Sequence, residues 1–133
     1  MRVPTLSLLL ALASASAFAE TPNDFLATYT QEAKQENAAF GGPSAQRGQR
    51  FFTELHGQEW SCSTCHTRNP AASGKHAVTN KVIEPLAPAA NATRFTRAAK
   101  VEKWFKRNCN DVVGRACSAQ EKADVLAYLL TVK

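Results

Sequence analysis

The only methionine in this 133-residue chain is Met1. Past that position no thioether sulfur is available, so any soft metal centre the chain holds must find another ligand. Long apolar runs are missing too. The leucine-rich opening is interrupted by serines and falls short of the roughly 20 residues that a spanning helix needs, and no later segment approaches that length. The pattern is not that of a membrane-crossing protein. Strand-like alternation and internal repeats are absent, which removes all-β and solenoid architectures. Basic residues number 16 against 11 acidic ones but are scattered along the chain, so the electrostatic footprint of a nucleic-acid-binding protein is lacking. A positive surface of this kind suits an acidic redox partner better. Cysteine is scarce, at four.

The opening residues have the layout of a secretory signal: Arg2 as a positive n-region, Leu6 to Leu12 as an apolar h-region, and Ala17-Phe18-Ala19 as a small-residue cleavage site. Residues 1–19 are expected to be removed, leaving 20–133 as one exported domain in the periplasm. Losing Arg2 lowers the formal charge from +5 to +4. An oxidising compartment permits disulfides.

Two of the four cysteines fall in Cys62-Ser63-Thr64-Cys65-His66. C-x-x-C-H is the attachment signature of c-type haem: two thiols at this spacing form thioethers with the two vinyl groups of one porphyrin, and the next residue offers an imidazole to the iron. The rival reading, a thioredoxin-like dithiol, requires a βαβ setting and gains nothing from the histidine. One covalent haem c is therefore expected on Cys62 and Cys65, with His66 as proximal ligand.

The remainder reads as helices around an irregular middle. Thr21-Pro22 opens a first helix that should reach about Ala39, before Gly41-Gly42-Pro43. A second starts at Ser44 and runs to His56-Gly57, with Gly48, Phe51, Phe52 and Leu55 on one face and the glycine placed where another backbone could come close. Trp60 to Asn91 is rich in Ser, Pro, Gly and Asn and needs a haem to organise it. A closing helix begins with the capping box Ser118-Ala-Gln-Glu121, carries Val125, Leu126, Leu129 and Leu130, and should pack on the Gly48/Phe52 helix.

Between them, Val101, Trp104, Phe105 and Asn108 share one helical face, three apolar residues continued by an amide. Cys109 follows. With the other two cysteines assigned to haem, its expected partner is Cys117, although free thiols or a second metal are alternatives that no flanking histidine supports. The sixth iron ligand cannot be methionine. His56, His76, a lysine, an asparagine and an open position remain. His56 precedes Gly57 at a helix end, where the dipole favours an imidazolium without any metal, and His76 lies in a polar loop expected to be exposed.

Lys103-Trp-Phe-Lys-Arg-Asn-Cys109, followed by Cys117-Ser-Ala-Gln-Glu-Lys-Ala-Asp-Val-Leu-Ala-Tyr-Leu129 and placed after C-x-x-C-H and the Gly74–Pro88 loop, resembles the SHP (sphaeroides haem protein) family of small class I-type cytochromes c. The likeness runs from about Ser44 to the end. It implies an all-α class I cytochrome c fold around one haem, with an extra N-terminal helix. In that family the distal ligand is an asparagine beside a disulfide, and it leaves on reduction so that oxygen or nitric oxide can bind. Carried over, the ligand is Asn108 next to Cys109, with Asn110 as the competing residue. Lys81 to Pro88 is similar to the haem-contact loop of class I cytochromes, with Leu86 where a ligating methionine is often found. The resemblance also implies electrons from a partner cytochrome, such as a dihaem cytochrome c or a membrane cytochrome b, and oxidase or nitric oxide dioxygenase chemistry with a small diatomic gas. The other function class is a simple six-coordinate electron carrier.

Overall fold

The computed structural model describes residues 19–57 and 59–133. Apart from Ala19, the expected export signal lies outside the described residues.

The first helix, α1 (Pro22–Glu36), is opened by a reciprocal capping box between Thr21 and Asp24. Its buried residues Phe25, Tyr29 and Ala33 recur every four positions and form one inward stripe. The chain turns at Asn37 instead of continuing to Ala39, because the Asn37 side chain and carbonyl accept the N–H groups of Ala39 and Phe40. Helix α2 (Ala45–Thr53) is capped by Ser44. It also stops early. Glu54 is extended, and His56 pairs with Trp60 across a turn in which Gly57 takes φ +72°. Leu55, expected on the apolar face, is therefore 63% exposed.

After the short helix α3 (Cys62–His66) come two-residue strands β1 (Gly74–Lys75) and β2 (Val82–Ile83), paired antiparallel with Gly74 opposite Ile83. This small ladder was not expected, since strands so short carry no alternation to detect. The surrounding loop is organised by backbone groups. The Pro70 carbonyl accepts the N–H groups of both Leu86 and Ala87 at 2.9 Å, and Pro70 and Ala87 are fully buried. Helix α4 (Ala98–Val113) ends on Gly114, whose φ of +77° makes the left-handed exit that glycine adopts without strain.

Helix α5 (Ala119–Thr131) is the hub. Its N-terminal N–H groups are met by Ser118 and Glu121 in a capping box, and by the Glu36 carboxylate of α1, which accepts from Ala119 at 3.1 Å. Ala123 and Leu126 face Phe25 and Tyr29 of α1, while Val125, Tyr128 and Leu129 face Phe52 of α2. Full burial of Leu126 and Leu129 contributes about 1.5–3 kcal/mol each.

As the pattern around Gly48 predicts, α2 and α5 meet backbone to backbone. A Cβ at Gly48 would sit 1.8 Å from the Asp124 carbonyl oxygen. Asp124 itself is buried and binds α2 through its side chain, accepting from Arg47 Nε at 2.7 Å, from Arg47 Nη2 at 2.8 Å and from the Ser44 N–H at 2.6 Å. Such a forked, charge-assisted contact fixes orientation as well as distance. Replacing Gly48 by Ala should therefore force the helices apart and destabilise the haem-loaded protein by roughly 3 kcal/mol. Urea unfolding checks this, and a wild-type midpoint would contradict the close approach.

Candidate haem site

Helix α3 owes its existence to Ser61 and Thr64. The Ser61 hydroxyl accepts the Thr64 N–H at 3.2 Å, and the Thr64 hydroxyl accepts the Ser61 N–H at 3.0 Å. That box starts a helix whose first and fourth residues are Cys62 and Cys65, one turn apart on a shared side. Around them the wall is tight. Cys62, Leu86 and Phe95 all pack against the cluster of Phe52, Val125, Tyr128 and Leu129. Gly74 presses on the other side, where a Cβ would lie 2.0 Å from the Cys65 carbonyl oxygen, and Cys65 Sγ accepts the Ala77 N–H at 3.4 Å. The hairpin thus closes over α3.

His66 follows, its ring centroid 6.3 Å from that of Phe52. Burial, with a smaller contribution from the positive charge of Arg94, pushes its imidazole down to about 4. The ring is therefore neutral at ordinary pH and keeps a lone pair for a metal. Burial pushes the Cys62 thiol up to about 11. A dithiol redox centre needs the opposite, a thiolate stabilised near neutrality. Two half-buried thiols one turn apart, a neutral imidazole beside them and an apolar wall of Phe52, Leu86 and Phe95 are a donor set that fits a covalently held haem.

Helix α4 reaches this region through Phe105, whose ring lies 6.5 Å from that of Phe95. Val101 and Phe105 pack against Phe25, Tyr29, Ala123 and Leu126. Trp104 departs from the expected stripe: it is 41% exposed, with the Arg107 guanidinium 5.6 Å from its ring centroid. Equal spacing on a helical wheel does not say which arc meets the bundle, and here the arc is centred on Val101, Phe105 and Cys109. Asn108 is half-buried at its edge, whereas Asn110 is exposed. Cys109 is buried and disulfide-bonded to Cys117, with Cα atoms 5.6 Å apart, so the turn of α4 that carries Asn108 is tied to the start of α5.

The two remaining histidines have structural duties. His56 Nε2 lies 2.7 Å from the Phe51 carbonyl oxygen, and its ring packs 4.4 Å from the Phe51 ring. His76 is half-buried, and its Nδ1 accepts the N–H groups of Val78 and Thr79 at 3.3 and 3.1 Å, shaping the hairpin turn. Arg94 and Phe95 were missed in the sequence. Arg94 donates to the Pro85 and Glu84 carbonyl oxygens at 2.9 and 2.8 Å and holds the Leu86 loop closed. Neither residue sits in a periodic segment that would have marked it.

Comparison with known proteins agrees with this site. The profile of a family described as "Domain of unknown function (DUF1924)" matches residues 38–129. Cytochrome c'' of Methylophilus methylotrophus is 44% identical over 126 residues, covering 90% of this chain and 88% of its own. The cytochrome c-type protein SHP of Cereibacter sphaeroides is 48% identical over 97 residues, covering 69% and 74%. Among solved structures, oxidised SHP, described as an oxygen-binding cytochrome c, superposes with a TM-score of 0.75 at 38% identity, covering 85% of this chain and 98% of that one. The solution structure of cytochrome c'', presented for the structural basis of haem-ligand detachment, gives 0.73 at 44% identity, covering 83% and 92%. With a C-x-x-C-H helix walled by apolar side chains and these relatives along most of its length, the chain belongs to the SHP-like family of monohaem c-type cytochromes and has their all-α fold and single covalent haem c.

Proposed function

We propose that this protein is an exported, gas-binding cytochrome whose distal ligand, Asn108, leaves the iron on reduction. The observation that carries the reading is the half-buried amide of Asn108, one residue before the Cys109–Cys117 bond, in a chain whose only methionine is Met1. Cys62 and Cys65 hold the haem by thioethers, and His66 is the proximal ligand. The haem supplies a redox-active iron that in its ferrous state prefers soft or π-accepting ligands. Asn108 offers a hard, neutral, weakly donating amide oxygen, adequate for ferric iron and poorly matched to ferrous iron. Its withdrawal on reduction opens a position for oxygen or nitric oxide. The neutral His66 stays in place, because the capped α3 and the Phe52 wall fix it from behind.

Two related structures support the reading: SHP is described as an oxygen-binding cytochrome c, and cytochrome c'' by haem-ligand detachment. Electrons would come from a partner cytochrome with an acidic docking face, in keeping with the formal charge of +4 that remains once Arg2 is lost with residues 1–19. Among the described residues no helix is long and apolar enough to cross a membrane. We place residues 20–133 in the periplasm as one haem domain, after cleavage of residues 1–19.

Four measurements test this. Peptide mapping should find haem on the Cys62–His66 peptide, and acidified acetone should fail to extract it; extraction would defeat the assignment. Asn108→Ala should convert the ferric iron to an open or water-bound, higher-spin form and leave the reduced carbon monoxide spectrum nearly unchanged. Asn110→Ala and His76→Ala should keep the wild-type ferric spectrum. Reduced wild-type protein should bind carbon monoxide at once, and refusal would identify a six-coordinate electron carrier instead. Replacing Cys109 and Cys117 by serine should cost roughly 2.5 kcal/mol of stability and loosen distal ligation while haem attachment survives. Two free thiols in oxidised wild-type protein would remove that tie.

A further inference from the structure

Helix α4 is held differently from the rest of the fold. α5 lies closely along α1 and α2, whereas the backbone of α4 approaches the other helices only sparsely, and its N-cap residue Arg97 makes no side-chain cap, the Ala98 N–H being met instead by the Glu20 carboxylate at 2.6 Å. Its ties are individual side chains. One is the disulfide, immediately after Asn108. Another is a polar junction on the opposite side of Asn108 that neither haem attachment nor the proximal ligand uses.

At this junction three helices meet on one carboxylate. Tyr29 of α1, buried, donates its hydroxyl to Glu102 Oε1 of α4. Lys122 of α5 donates to Glu102 Oε2 at 2.9 Å. The same ammonium lies 5.0 Å from the centroid of the Tyr29 ring and 5.7 Å from that of Phe105, one helical turn further along α4. Tyr29 and Phe105 pack edge to face, with centroids 5.6 Å apart. Partial burial would raise the Glu102 carboxyl, but the hydrogen bonds from Tyr29 and Lys122 outweigh it and hold the group below the ordinary carboxylate range. Burial, reinforced by Glu102, keeps Tyr29 protonated as a donor.

The spacing makes this junction mechanically relevant. Glu102 and Phe105 precede Asn108 by six and three residues, about 9 and 4.5 Å of helix rise. Within one continuous helix, a displacement at Glu102 moves Asn108 with it. Asn108 thus sits between the grip on Glu102 and Phe105 and the Cys109–Cys117 bond. We propose that Tyr29 and Lys122 are positioning residues for the distal ligand: through Glu102 and Phe105 they hold α4 where Asn108 reaches the iron, and so set how readily it leaves. This rests on the reading of Asn108 as that ligand. An amide oxygen binds iron weakly, so a helix held out of place by a fraction of an ångström loses it.

Tyr29→Phe keeps the ring and removes only the hydroxyl; Lys122→Met keeps much of the stem and removes the charge. In haem-loaded ferric protein each should raise the high-spin fraction and speed azide binding about tenfold, the factor expected when one charge-assisted hydrogen bond is lost. Lys122→Arg should restore most of the wild-type rate. In an Asn108→Ala background the Tyr29 and Lys122 substitutions should have no further effect on azide binding. If Asn108→Ala leaves the ferric spectrum unchanged, the ligand reading and this inference fall together. If Asn108→Ala opens the iron but Tyr29→Phe and Lys122→Met bind azide at the wild-type rate and only lower the melting temperature, the positioning role is overturned and the ligand stands. An equal acceleration with and without Asn108 would also overturn it. Should Lys122→Met fail to fold, Glu102→Gln, which keeps the shape and removes the charge, reads the same kinetics.

Discussion

Everything around the haem depends on the contact between α2 and α5. Where Gly48 lacks a side chain the two backbones touch, and Asp124 locks the approach by accepting from both Arg47 and Ser44. Phe52, one turn after Gly48, is thereby driven against Val125, Tyr128 and Leu129. This cluster is the floor on which Cys62, Leu86 and Phe95 rest, and its Phe52 ring faces His66. The attachment motif is five residues long and could form one turn of helix in many settings. Here the Gly48 crossing gives it a dry, fixed wall.

The two sides of the site are built to different tolerances. On the proximal side, a capping box, a hairpin pressed onto the Cys65 carbonyl and the Phe52 cluster leave His66 little freedom. The distal side has one helix held by a few side chains and a disulfide. The proposed function, with His66 staying through a redox cycle and Asn108 leaving, calls for this asymmetry. Local openings cost least where buried apolar contacts are fewest. A strong distal donor would bind in both oxidation states, while a weak one turns small differences in helix position into differences in occupancy.

Much of this was legible in the sequence because it is local. Cys62-Ser-Thr-Cys65-His66, the Ser118–Glu121 box and the Gly48/Phe52 spacing each lie within one or two helical turns, where periodicity and capping chemistry are informative. The lack of a second methionine was equally readable and removed the commonest distal ligand. What escaped was non-local or too short. The Gly74–Ile83 ladder has two-residue strands, and α1 and α2 end early, at the Asn37 turn and at the extended Glu54. The Tyr29–Glu102–Lys122 junction joins residues far apart in the chain, and the exposure of Trp104 depends on which arc of α4 the bundle selects.

Backbone strain falls at the exits of the site. Thr67, immediately after His66, has φ +62°, and Phe95, shortly before α4, has φ +55°, a left-handed conformation that bulky and β-branched residues avoid. Each costs on the order of 1–3 kcal/mol and persists only where the surroundings over-determine it. For Phe95 those surroundings are evident. It packs on the Phe52 cluster and on the Tyr29 cluster at once, with Arg94 beside it gripping the Glu84 and Pro85 carbonyls. A relaxed, extended residue at 95 would not turn the chain from the Leu86 loop into α4 while placing an aromatic ring between both clusters. The strain therefore sets the angle at which α4 departs toward Asn108, and the burial of the Phe95 ring offsets it.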